Sequence, residues 1–516
     1  MLPAALTGAS ADEFRTPSIS AVRVEWRAVL EQLRSEINTQ PAIASAFTFA
    51  SQRRAPRWDP RSMPALVQLN AITSPVFPGI RRSPVPVLLP FDTASYLEAR
   101  QSGAPDTLSV SRFQADFRPA DLFHAGSAGY DAMFSFEPGA GDGMPQRAYA
   151  KPVEVQITGS ILTYDLADSL GGKGEPVKAL AAQFPDLRRF IREGYVRYAF
   201  TRFGVPYVVS IQCLDSSPNA RRLACREAYP VAERFVKALR VAGGQPSRPR
   251  RDISSAIAER PTVPSPDFTY RPSGDIVASS GSRKQGGRVD LTAYSQIRFP
   301  LEKAPAFARS QSQGRRKPEE RGYPWQDNFC EARSFAVGQC AAGFGHQGQD
   351  IRPGACALQN SEDPGACNPK QQAIVAVRDG VLIRSMKQQA ATLQVNTRNE
   401  HIRFRYMHMN PSRMDADGIL NGRQVAEGEK IGVASNYLDF PNGTSLHLHF
   451  DVQVFTRDGW IWVNPYTTLI SAYERLLRGR GRELRTDPAA PAAVAHTRPE
   501  DVIRPDTQEG SEGGDN

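Results

Sequence analysis

Residues 446–455 read Leu-His-Leu-His-Phe-Asp-Val-Gln-Val-Phe, a run in which apolar and polar side chains alternate. A β-strand sends successive side chains to opposite faces. Leu446, Leu448, Phe450, Val452 and Val454 therefore face one way, and His447, His449 and Asp451 face the other. One strand turns two imidazoles into the same space. Residues 401–409, His-Ile-Arg-Phe-Arg-Tyr-Met-His-Met, alternate in the same manner, with Ile402, Phe404, Tyr406 and His408 on one face and His401 on the other.

The chain has seven histidines, and five of them (His346, His401, His408, His447, His449) fall between positions 346 and 449. The segment Gly-Phe-Gly-His346-Gln-Gly-Gln-Asp350-Ile adds a carboxylate four residues after an imidazole. Zn²⁺ binds imidazole and carboxylate, and catalytic sites use three protein ligands with a fourth position open. His346, Asp350 and one histidine of the His447-x-His449 pair make such a set, leaving two histidines for proton transfer. His401 and His496 read as solvated or hydrogen-bonded side chains, and His124 as a surface or core histidine. No His-Glu-x-x-His sequence occurs, which excludes a thermolysin-like glutamate base.

The stretch 294–469 resembles the M23 peptidases, the lysostaphin/LytM-type zinc endopeptidases of bacterial cell walls. The resemblance is carried by five elements in order: His346-x-Gly-x-Asp350-Ile, Val375-x-Val-x-x-Gly380-Val, Tyr406-x-His408-Met, Val425-x-x-Gly428-x-x-Ile431-Gly432, and His447-x-His449. It implies a mainly antiparallel β domain with a groove, Zn²⁺ held by His346, Asp350 and His449, and His447 and His408 as the catalytic pair. His447 would act as general base; His408 would stabilise the oxyanion or protonate the leaving amine. The substrate implied is the peptide part of peptidoglycan. A catalytically silent regulator of other wall hydrolases would lack a ligand, and none is missing here. A secreted zinc protease acting on non-wall proteins is the other alternative. Asp451 stands where the family often has Glu, and reads either as a partner orienting a histidine or as a solvated strand residue.

At 516 residues the chain is long enough for several domains. Its composition, 40 % hydrophobic and 23 % charged, is that of a globular protein. No run approaches the ~18 apolar residues of a transmembrane helix. The net charge of +9 favours an acidic partner, and the resemblance selects peptidoglycan over nucleic acid.

Residues 1–11 look like the tail of a signal peptide, ending Ala9-Ser10-Ala11. Residues 12–243 read as an α+β domain of unknown role. Its helices are expected over 20–36, 184–195 and 229–242, and its strands over 85–91, 153–164 and 205–214. The Gly139-x-Gly-x-Gly143 run lacks a phosphate-loop context and reads as a loop. Residues 244–293 are Pro-, Ser- and Arg-rich and read as a linker, 294–484 as the peptidase domain, and 485–516 as a disordered tail. A helix with a basic face is expected over 469–484.

The six cysteines form three local pairs, Cys213 with Cys225, Cys330 with Cys340 and Cys356 with Cys367. This pattern reads as a disulfide framework in an oxidising compartment, periplasmic or secreted. The last two pairs flank the metal motif and would shape the rim of the groove.

Overall fold

The computed structural model describes residues 14–38, 65–92, 94–96, 113–137, 153–166, 173–213, 223–246, 266–275, 288–308, 323–333, 335–354, 372–438 and 440–484. The 1–11 segment, the Gly139–Gly143 run, the Cys356/Cys367 pair, His496 and the 485–516 tail lie outside them. Two antiparallel sheets dominate. The first orders its strands Arg118–Ala125, Gly129–Phe136, Val153–Ser160, Val205–Gln212, Tyr195–Arg202, Arg188–Arg192 and Glu175–Pro176. Period-two patterning explains its two faces. Tyr130, Ala132, Phe134 and Phe136 pack into one core with the helices Trp26–Asn38, Ala65–Thr73 and Tyr229–Ala238, while Asp131 and Met133 point the other way.

The second sheet runs Ala306–Ala308, Gln349–Pro353, Leu448–Thr456, His401–Met407, Ala391–Asn396, Gly380–Ile383 and Gln424–Val425, with Gly459–Val463 beside Leu448–Thr456. Leu448, Phe450, Val452 and Val454 are fully buried in its core with Ile402, Phe404 and Tyr406, as alternation requires. The helix Tyr466–Leu477 closes this core with Leu469, Ile470, Ala472 and Tyr473. It is embedded rather than lying on the surface. Arg478 ends it in the left-handed region (φ 52°), and Arg480–Glu483 then forms a strand, not the helical continuation to 484 expected from sequence. That strand pairs in parallel with Pro266–Tyr270, so part of the stretch read as linker contributes Phe268 and Tyr270 to the core.

The helix expected over 184–195 is replaced by the hairpin of Arg188–Arg192 with Tyr195–Arg202. Leu187, Phe190 and Ile191 are compatible with helical spacing, but Glu193 (φ 56°) and Gly194 (φ 71°) make a two-residue turn, and the neighbouring strand supplies the ladder. Residues 19–21 likewise pair as a strand with Leu162–Tyr164, so the first helix starts at Trp26. The third helix stops at Ala238, after which Arg240–Gly243 pairs with Val87–Leu89. Disulfides join Cys213 to Cys225 and Cys330 to Cys340. Among the described residues no helix is long and apolar enough to cross a membrane.

The second faces of the two sheets meet. Asp131 of the first sheet accepts from His401 Nε2 (2.8 Å), Arg403 Nη2 (3.3 Å) and Thr158 Oγ1 (2.7 Å). Asn396 Oδ1 accepts from Ala128 N, and Trp460 Nε1 donates to Thr158 Oγ1. Apolar contacts flank this polar layer, with Val208 and Ala199 against Phe455 and Trp460, and Met133 against Val381. His401, whose sequence reads as a solvated or hydrogen-bonded side chain, is thus a fully buried, hydrogen-bonded partner in the interface and not a solvated one.

Burial raises the Asp131 pKa, but His401 and Arg403 outweigh it and bring the carboxyl down to about 2. A depressed folded-state pKa stabilises the fold above the unfolded value of 3.8 and is lost as pH falls toward the folded one. Asp131→Asn is therefore expected to cost most near pH 5. Its stability deficit against the native chain, measured by urea unfolding, should shrink by about 1 kcal/mol by pH 3. An equal deficit at both pH values would contradict this account of the interface.

Candidate metal centre

Asp350 and His449 face each other across the ladder of Gln349–Pro353 and Leu448–Thr456, and Met407 is the next residue in the same row. His346 lies in the turn before Gln349–Pro353, bracketed by Cys330 N→His346 O (2.8 Å) and His346 N→Glu331 O (2.7 Å). His447 sits just before its strand, bridged to Ser435. His408 follows His401–Met407 in the left-handed region (φ 67°). This breaks the alternation that would have sent it to the core with Tyr406. Its backbone amide donates to Gln389 Oε1. A positive φ is costly for a non-glycine residue and clusters at functional sites.

All five sequence-predicted residues come together, and all are buried. His346 Nε2 lies 2.9 Å from His449 Nδ1 and 3.4 Å from Asp350 Oδ1, and His449 Nδ1 lies 3.3 Å from that same oxygen. His447 Nε2 is 3.4 Å from Asp350 Oδ1, and the His408 and His447 ring centroids are 4.5 Å apart.

The second nitrogen of each ring is tied down, which fixes what the first can do. His346 Nδ1 donates to Asn328 O (2.9 Å), His447 Nδ1 to Ser445 O (2.7 Å), His408 Nδ1 to Tyr437 O (2.9 Å) and His449 Nε2 to Asp451 Oδ2 (3.2 Å). Carbonyl oxygens only accept, so a neutral His346, His447 or His408 ring turns a lone pair inward, whereas His449 has a carboxylate on each side, Asp451 at Nε2 and Asp350 at Nδ1. Two imidazole nitrogens and a carboxylate oxygen thus converge on one point, where a shared proton or a cation can hold them together. Donors ~2.0–2.2 Å from a tetrahedral Zn²⁺ stand ~3.3–3.6 Å apart, close to the separations found here. Asp350 Oδ2 is buried without a hydrogen-bond partner, a further acceptor available to a cation.

Burial opposes charge on Asp350, but His346 and His447 beside it hold the carboxyl well below the usual range. Burial likewise lowers the His449 pKa, yet its hydrogen bonds to Asp350 and Asp451 prevail and raise it. His408 is pushed down to about 3, by burial first and then by its histidine neighbours, and stays neutral at physiological pH.

Asp451 is a buried partner of His449, not a solvated strand residue. Arg405 Nε (2.6 Å) and Trp462 Nε1 (3.1 Å) hold it. Arg405, Trp462, Gln389 and Asn328 were not found from sequence. Arg405 is two residues from Arg403 on an alternating strand, but only the register Arg405↔Asp451 makes it part of the site. Among the described residues, a cavity of about 210 Å³ opens beside Arg288, Phe329, Gln339 and Asn464 rather than at the histidines. Segment 355–371, which follows the metal motif in sequence, lies outside the described residues.

No family model matches the chain, and no curated protein matches it. Among solved structures it is similar to a Ruminococcus gnavus protein described as a glycyl-glycine endopeptidase, lytM, at 20 % identity over 27 % of this chain and 49 % of that one, with a TM-score of 0.18. It is also similar to the antimicrobial peptidase lysostaphin from Staphylococcus simulans, at 20 % identity over 26 % of this chain and 45 % of that one, with a TM-score of 0.17. The chain spans just under half the length of each.

Proposed function

We propose that the chain is a zinc-dependent endopeptidase that hydrolyses peptide bonds in peptidoglycan stem peptides or cross-links, outside the cytoplasm. One observation carries the reading. His346 Nε2, His449 Nδ1 and Asp350 Oδ1, three groups that can each give a cation one donor atom, lie buried within 3.4 Å of one another. These three residues would hold the ion, which supplies Lewis-acid polarisation of a carbonyl and acidification of a water.

His447, with its Nδ1 proton committed to Ser445 O, presents a basic Nε2 and serves as general base. His408 in its neutral tautomer has no donor facing inward, so it acts as an oxyanion partner only after taking up a proton. The proton it would then give to the leaving amine is the one His447 takes from the water, since the His408 ring is itself neutral at physiological pH and stands beside His447. The two disulfides and the net charge of +9 suit an oxidising compartment and an anionic polymer.

The test is digestion of purified peptidoglycan beside a denatured protein, with mass spectrometry of the soluble products. New amino termini within muropeptides are the expected result. Cleavage of the denatured protein alone would point to a non-wall protease. Cleavage of neither, with stimulation of an added wall hydrolase, would make the chain a regulator.

A further inference from the structure

The His447 ring stands between two acceptors. Its Nδ1 lies 2.7 Å from Ser445 O, and its Nε2 lies 3.4 Å from Asp350 Oδ1. A neutral imidazole has one proton for its two nitrogens, so the contact made at Nδ1 decides whether Nε2 presents a lone pair or an N–H. The lone-pair form alone can act as a base at Nε2. Whatever holds the Ser445 carbonyl in place therefore bears on what His447 can do.

Ser445 is exposed and lies outside the strands, near the end of the loop that the Ser435↔His447 bridge closes. The residue that grips it comes from Gln349–Pro353. Period two puts Asp350 and Arg352 on one face of that strand, with Ile351 turned into the core. The register Asp350↔His449 and Ile351↔Leu448 leads Arg352 toward the residues just before Leu448. There Arg352 Nη1 donates to Leu446 O (3.2 Å) and to Ser445 Oγ (3.2 Å), bracketing the Ser445 carbonyl from both sides along the chain. Ser445 Oγ itself stands 3.4 Å from His447 Nδ1. A guanidinium carries its donors in a fixed planar fork, which suits it to holding two acceptors at once.

We propose that Arg352 is a positioning residue for His447, holding the Ser445 carbonyl against Nδ1 so that Nε2 stays free of the ring proton. The proposal rests on the reading of His447 as the general base. Arg352→Met keeps the unbranched stem and removes every donor. Arg352 is half-buried and Ser445 exposed, so the variant is expected to fold, and Arg352→Gln serves if thermal melting shows that it does not. Three quantities are measured on the full chain: Zn²⁺ content, the rate of muropeptide release from purified peptidoglycan, and the His447 tautomer. The tautomer is read from nitrogen NMR shifts of isotope-labelled histidine rings, assigned by difference with His447→Ala.

A small misplacement of a catalytic group costs up to ~10²-fold in rate, so Arg352→Met is expected to slow release at saturating substrate by about 10- to 100-fold. Zn²⁺ content and the half-saturating substrate concentration should stay native, and the His447 shifts should move toward the Nε2-protonated form. Arg352→Lys, which keeps a charged donor, should recover part of the rate. Combined with His447→Ala, Arg352→Met should cost nothing more than His447→Ala alone. A folded Arg352 variant with a native rate or a native tautomer, a rate lost through loss of Zn²⁺, or losses that simply add would each overturn the proposal. A native chain that cleaves no peptidoglycan would instead overturn the general-base reading, and the tautomer shift would still decide the part played by Arg352.

Discussion

His346→Ala, Asp350→Ala and His449→Ala are each expected to lose the metal and the hydrolytic activity together. The native chain should carry about one Zn²⁺. Each ligand contributes one of only three protein donors, and the remaining pair stands in a buried pocket shaped for three. Elemental analysis after dialysis should therefore find far less than one ion per chain in every variant, with peptidoglycan hydrolysis at background. Full occupancy in all three variants would refute the ligand assignment.

His447→Ala and His408→Ala should behave differently. Both rings face the same centre, but His447 reaches it only through Asp350 Oδ1 at 3.4 Å, and His408 stands beside His447. Their loss should leave Zn²⁺ near one per chain while muropeptide release slows at least ~10²-fold, the scale of general acid–base catalysis. Metal content and cleavage rate measured on the same preparations separate the two classes. If His447→Ala empties the site and His449→Ala does not, the roles on that strand are exchanged. If neither variant changes the rate, proton transfer by this pair is refuted.

Much of the site was legible because its signal is local. Alternation over 446–455 determines which side chains share a face, and the clustering of histidines with Asp350 identifies the donor types. Those choices need no knowledge of what lies across the sheet. The strands Val153–Ser160 and Val205–Gln212 were readable for the same reason. Where local spacing admitted two periods, as over 184–195, the neighbouring strand and the Glu193-Gly194 turn decided the outcome, and the helical reading failed.

Sequence by itself picked out the candidate donors, the period-two strand that carries part of them and the pairing of neighbouring cysteines at 213/225 and 330/340. Tertiary structure alone decided the ring tautomers, the left-handed turn that brings His408 in beside His447, and the hold of Arg405 and Trp462 on Asp451. It also decided that His401 lies under Asp131, 270 residues away, rather than at the site. The reason is physical. A face is set by backbone geometry within a few residues, whereas register and burial are set by which strand lies alongside, and that pairing depends on the packing energy of the whole sheet.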